Sequence, residues 1–131
     1  MAKKILVVED TKNIREIVAF MLRNRGHEVM EAPDGEVGWK KATTENPDLI
    51  VLDAMLPGRT GFDICADLKA SPKYQSIPVI ILTAITQNTG KDDKYWKEKS
   101  MADDFMSKPF KPQELMERVE KLLGIAPKSE G

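Results

Sequence analysis

Five side chains in this sequence combine acid, hydroxyl and ammonium chemistry, and each stands at or near the end of a short apolar, β-branched run. Glu9 and Asp10 follow residues 5–8, Asp53 follows 49–52, Thr83 follows 79–82, and Lys108 lies just beyond 104–106. Taken singly, each has an ordinary explanation. An acid after a strand often caps a helix or makes a turn, a threonine commonly ends a strand, and a lysine before proline is usually solvated. Brought together they define a reactive pocket. Two carboxylates about 4 Å apart repel by roughly 4 kcal/mol at an effective dielectric of about 20. Three such groups must raise a pKa, recruit the Lys108 ammonium or bind a cation. Hard oxygen donors in an open site suit Mg2+ (or Mn2+), which keeps several waters and bridges readily to phosphate. A metal-neutralised Asp53 carboxylate can then attack a phosphoryl group and form an acyl phosphate. Thr83 and Lys108 would hold the phosphoryl oxygens during the transfer.

Whether the five converge depends on the elements that carry them. Runs such as Leu49-Ile50-Val51-Leu52 do not alternate with polar residues, which is the pattern of a strand covered on both faces. Strands are expected at 5–8, 28–31, 49–52, 79–82 and 104–106. Helical patterns lie between them. Ile14, Ile17, Val18, Met21 and Leu22 recur at helical spacing, with Gly26 as a stop. Asp34 is placed to cap a second helix with a small-residue stripe of Gly35, Gly38 and Ala42 and with Trp39 beside it. Phe62, Cys65 and Leu68 mark a third, residues 89–100 a charged fourth, and Leu115, Val119, Leu122 and Leu123 a fifth that starts near Pro112. Five β/α units without repeat or linker imply an α/β doubly wound parallel sheet with helices on both faces. In such sheets ligands bind beyond the carboxyl ends of the strands, where all five chemical residues would stand.

Bulk properties narrow the classes further. At 131 residues the chain has the size of one domain. Lys and Arg total 20 against 21 Asp and Glu, so no broad basic face for nucleic acid or an anionic membrane is expected. Cys65 is the single cysteine, which excludes an intrachain disulfide and a thiolate metal framework. No apolar run approaches a membrane span, and the apolar stretch near the N-terminus is too short for a secretory signal. A cytoplasmic location is expected. His27, the only histidine, precedes the second strand away from the acids and reads as a solvated surface residue, while Cys65 reads as a small core residue.

The ordered set of motifs resembles the response-regulator receiver domain of two-component signalling. It comprises Glu9-Asp10, Asp53 followed by Pro57 and Gly61, Thr83-Ala84, and the run from Ala102-Asp103-Asp104-Phe105 to Lys108-Pro109-Phe110. The likeness extends over residues 3–124. It implies a flavodoxin-like (βα)5 sandwich of strand order 2-1-3-4-5, a receiver domain over residues 1–124 and a flexible tail at 125–131. It further implies that Asp53 is the phosphoacceptor and that Asp10 and the Met55 backbone carbonyl bind Mg2+ with it, Glu9 acting through water. Thr83 and Lys108 would contact the phosphoryl group, Thr83 and Phe105 would act as the switch pair, and the Lys108-Pro109 bond would be cis. The implied phosphoryl donor is a histidine kinase or histidine phosphotransfer domain. The implied output surface is the face of the fourth helix, fifth strand and fifth helix, where Tyr95 and Trp96 lie among charges. Asp103, Asp104, Glu114 and Arg118 resemble the charges with which receivers of winged-helix regulators dimerise, so either a monomer or a phosphorylation-dependent homodimer is implied.

The sequence departs from the family pattern in three places. The stretch from Thr83 to Lys108 is longer than usual, with the surplus in residues 85–92. Met101 stands where glycine is common. Met55 and Ile85, which flank the water's approach in receivers, are both apolar, so slow loss of the phosphoryl group is expected. Two rival classes share part of the pattern. A haloacid-dehalogenase-type phosphatase also forms an aspartyl phosphate, but its Asp-x-Asp pattern is matched neither by the adjacent acids Glu9-Asp10 nor by Asp53 with Met55. A flavodoxin-like binding module would need a phosphate loop after the first strand, where this chain has Glu9-Asp10-Thr11-Lys12-Asn13.

Overall fold

A computed structural model describes residues 3–83, 101–107 and 110–124. Five strands, β1 (Lys4–Val8), β2 (Glu28–Ala32), β3 (Leu49–Asp53), β4 (Val79–Thr83) and β5 (Asp104–Ser107), form one sheet of order β2-β1-β3-β4-β5. All four pairings are parallel. Their registers bring the carboxyl ends level, with Val8 opposite both Ala32 and Leu52, Asp53 opposite Leu82, and Thr83 opposite Ser107. The expected doubly wound sheet and its order are both present.

Side chains alternate across the strands, and the core is accordingly divided in two. On one face Leu6, Val8, Ile50, Leu52, Val79, Ile81 and Phe105 pack with Ala42 of α2 (Gly35–Thr44) and Ile64, Cys65 and Leu68 of α3 (Gly61–Lys69). On the other Ile5, Val7, Leu49, Val51, Ile80, Leu82 and Met106 meet Val18 and Leu22 of α1 (Lys12–Asn24) and Leu115, Met116 and Val119 of α4 (Pro112–Leu123). Burying a Val, Leu or Ile side chain stabilises by about 1.5–3 kcal/mol, so the β3 and β4 runs, buried on both faces, hold the sheet together.

The helix signals act as their chemistry requires. Asp34 caps α2 by accepting the Val37 N–H at 2.9 Å. Close approach explains Gly38, where a Cβ would stand 2.7 Å from a Val8 methyl. Pro112 occupies the first turn of α4. α1 ends in a Schellman turn, with Gly26 at φ +88°, its N–H donating to the Arg23 carbonyl and the His27 N–H to the Leu22 carbonyl.

Asp53 and Thr83 end their strands as expected, and the ladder runs on to Ala54, whose N–H donates to the Leu82 carbonyl at 2.8 Å. Two expectations need correction. Ile17 is half-exposed, because the inward stripe of α1 passes through Val18, Ala19 and Leu22. His27 is buried at 7% exposure, not solvated, because the Schellman turn tucks it beneath the helix it terminates. Met101, at the position where a glycine was expected to matter, keeps the left-handed conformation at φ +65°. The expected fourth helix at 89–100, the long segment 85–92, Lys108, Pro109 and the tail 125–131 lie outside the described residues.

Candidate metal and phosphoryl site

The acidic residues are positioned by the backbone ladder. The Glu9 N–H donates to the Ala32 carbonyl at 3.0 Å, which extends β1 and turns the side chain inward. One Glu9 carboxylate oxygen accepts the Thr11 N–H at 3.0 Å, and its carbonyl accepts Arg15 Nη1 at 2.9 Å. Glu9 is therefore seated at the entry to α1, where the helix dipole favours negative charge. Asp10, the next residue, is exposed. Asp53 enters from the neighbouring strand and is buried at 4% exposure, and one of its carboxylate oxygens accepts the Met55 N–H at 3.3 Å. The following loop closes where the Gly61 N–H donates to the Ala54 carbonyl at 2.9 Å. A Cβ on Gly61 would overlap the Asp53 carbonyl oxygen, so only glycine permits this closure.

Glu9, Asp10 and Asp53 each offer a ligand oxygen within 4.8 Å of the other two. At that spacing two carboxylates repel by about 3.5 kcal/mol at an effective dielectric of about 20, with two of the three buried. The donor set is all oxygen, compact and open on the Asp10 side, and it fits a small hard divalent cation such as Mg2+. Thr83, fully buried, ends β4 one residue past the Leu82 that pairs with Asp53, at the same carboxyl edge of the sheet. Met55 is exposed, with its side chain on the solvent side of the loop.

Phe105 lies inward, 6.2 Å from Phe62 between ring centroids and nearly parallel to it. The charges that resemble dimer contacts pair within this chain: Arg118 with Asp104 at 2.7 Å and with Glu114 at 3.2 Å, and Asp103 with Lys69 at 2.6 Å. Burial pushes the Cys65 thiol up to about 12, with Lys69 opposing and Asp103 reinforcing, so it is no nucleophile. Sequence reasoning overlooked Arg59, whose guanidinium lies 4.4 Å from the Trp39 ring centroid. No local periodicity signals that contact, since it joins a helix to a distant loop.

The model of the response regulator receiver domain family matches residues 5–120. The chain belongs to that family. It is 42% identical over 126 residues to the alkaline phosphatase synthesis transcriptional regulatory protein PhoP of Bacillus subtilis, covering 94% of this chain and 49% of PhoP. Among solved structures, the Francisella response regulator 1452 receiver domain superposes with a TM-score of 0.83 at 30% identity, covering 93% of this chain and 97% of that one. The receiver domain of the sensor histidine kinase PA1611 from Pseudomonas aeruginosa, which has a magnesium ion coordinated in its active site cleft, gives 0.83 at 27% identity, covering 95% and 99%. The chain spans about half the length of the curated relatives it matches. It is a receiver domain of phosphorylation-switched signalling, and neither the phosphatase nor the binding-module class is favoured by any of these relatives. No helix among the described residues is long and apolar enough to cross a membrane.

Proposed function

We propose that this chain accepts a phosphoryl group on Asp53 from a phosphohistidine of a histidine kinase or phosphotransfer domain and passes the change to a protein target in the cytoplasm. The observation that carries the reading is the gathering of Glu9, Asp10 and Asp53 within 4.8 Å at the carboxyl ends of β1 and β3. Asp10, Asp53 and the Met55 carbonyl would hold Mg2+, with Glu9 acting through water. When bound, the ion offsets the carboxylate charge and draws electron density from the phosphoryl oxygens. An Asp53 carboxylate oxygen forms the new O–P bond while the P–N bond to the donor imidazole breaks, and that bond pair returns to the imidazole nitrogen. Thr83 donates its hydroxyl to a phosphoryl oxygen, and Lys108 balances the remaining charge. The chain catalyses only its own modification and the hydrolysis that reverses it.

Moving a two-state population from 1:99 to 99:1 requires about 5.5 kcal/mol of differential stabilisation. Charge-assisted bonds from the phosphoryl oxygens to Thr83 and Lys108 are suited to supply much of it, with Phe105, already inward against Phe62, held there as Thr83 is drawn to the phosphoryl group. Exposed, apolar Met55 offers no group to orient an attacking water, so decay is slow. Intact-mass measurement after acetyl phosphate and MgCl2 tests the reading. Wild type gains one phosphoryl group, Asp53→Asn gains none, and Met55→Asn shortens the lifetime of the adduct. Equal labelling of Asp53→Asn would remove Asp53 from the role.

A further inference from the structure

The loop that leaves Asp53 is tethered to the first half of α2 at several points. The Gly35 N–H donates to the Pro57 carbonyl at 3.1 Å. A Cβ on Gly35 would overlap the Arg59 backbone, so the loop lies directly on the start of the helix. Gly58, at φ +82°, turns the chain beside Glu36. Beyond it Arg59 reaches back over the Trp39 ring at 4.4 Å and forms an ion pair with Asp67 of α3. Arg59 is three-quarters covered, so the cation–π contact is partly desolvated, where such contacts are strongest. These tethers act on the segment between Asp53 and Gly61, which contains Met55.

We infer that Trp39 and Arg59 are positioning residues for the cation site, clamping the Met55 segment so that its carbonyl is presented to the ion beside Asp53. The inference rests on the reading that the Met55 carbonyl is a cation ligand. A backbone ligand on a loose loop must be ordered when the ion binds, and that ordering opposes binding. A loop already held by an aromatic–guanidinium contact avoids most of it. Neither residue touches the ion, and both act through the loop backbone.

Titration of the full chain with MgCl2 by calorimetry tests this, well below the unfolding temperature. Arg59→Met and Trp39→Leu each weaken Mg2+ binding roughly fivefold, the factor a single partly buried cation–π contact supports. Arg59→Lys and Trp39→Phe, which keep a cation over a ring, retain the wild-type affinity. Arg59→Met combined with Trp39→Leu is no weaker than either alone, because each change already breaks the same contact. Asp67→Asn, an exposed change that removes only the ion pair, serves if the larger changes unfold the protein, and it weakens Mg2+ by about twofold. Unchanged affinity in every variant overturns the clamp and leaves the site reading standing. So does failure of the Lys and Phe variants to rescue, which would mean packing alone is at stake. A wild-type protein that binds no Mg2+ removes both.

Discussion

The two ends of the sheet treat buried charge in opposite ways. At the carboxyl end, three carboxylates present oxygens within 4.8 Å of one another. At the amino end, where α1 turns into β2, the buried Glu120 carboxylate meets a single guanidinium, with Arg25 Nη1 at 2.7 and 2.8 Å from its two oxygens. His27 is buried beside this pair, and burial disfavours its charged form. One end matches charge one for one and ties α4 to the α1 turn. The other concentrates like charge at a rim accessible through Asp10. Carboxylates gathered this closely gain from a divalent cation, which a one-to-one ion pair does not need. The comparison separates a matched ion pair from a cluster of like charge without reference to any relative.

Breaking the matched end should have the largest effect. Arg25→Met leaves Glu120 buried without its guanidinium and lowers unfolding free energy by about 2–3 kcal/mol, below the usual range for a fully buried pair because Arg25 is partly exposed. Combining Arg25→Met with Glu120→Leu restores most of the loss, since a well-packed apolar pair replaces the ion pair. Urea titration of the single and double variants checks both. A double variant weaker than the single one would make the pair more than a matched charge.

Neutralising the concentrated end should do the reverse, and by less. In the presence of a chelator, Asp53→Asn relieves like-charge repulsion and raises unfolding free energy by about 1 kcal/mol. Added MgCl2 then reverses the ranking, because wild type gains about 2.7 kcal/mol at a hundredfold excess over its dissociation constant while the variant gains far less. Thermal melts with EDTA and with MgCl2 measure the crossing. If Asp53→Asn destabilises under both conditions, the carboxylates are a structural cluster.

The two ends were also unequally legible in the sequence. Glu9-Asp10, Asp53 and Thr83 could be read because each stands at the end of a β-branched run, and the rule that parallel sheets bind at their carboxyl ends turns three local patterns into one candidate site. Strand order came from resemblance to a family, since local pattern leaves the permutation of buried parallel strands open. The Arg25–Glu120 pair spans 95 residues, and nothing near either residue announces the other. His27 was misread for the same reason. A histidine after a helix-ending glycine looks solvated until the Schellman turn and a distant helix cover it. Trp39 over Arg59 is a third contact of this kind. Local physics sets the elements and their ends, whereas contacts between elements far apart in the chain appear only once the sheet is assembled.

The smallest effect sharpens the comparison from within the matched end. Burial pushes the His27 imidazole below its usual value of 6.5, the Glu120 charge opposing and the Arg25 charge reinforcing the shift. Both ring nitrogens are buried without a hydrogen-bond partner, so the charged form has little to stabilise it there. A lowered folded-state value means that the unfolded chain binds the proton more readily. Stability from neutral His27 is then fully present above about pH 6.5 and is lost as pH falls from there through the folded-state value. One proton limits the slope to about 1.4 kcal/mol per pH unit, and Glu120 reduces the effect below that limit. Urea midpoints measured from neutral to mildly acidic pH in chelator should decline for wild type and decline less steeply for His27→Leu. Parallel declines would place the acid sensitivity elsewhere and leave the carboxyl-end acids as the first groups to examine.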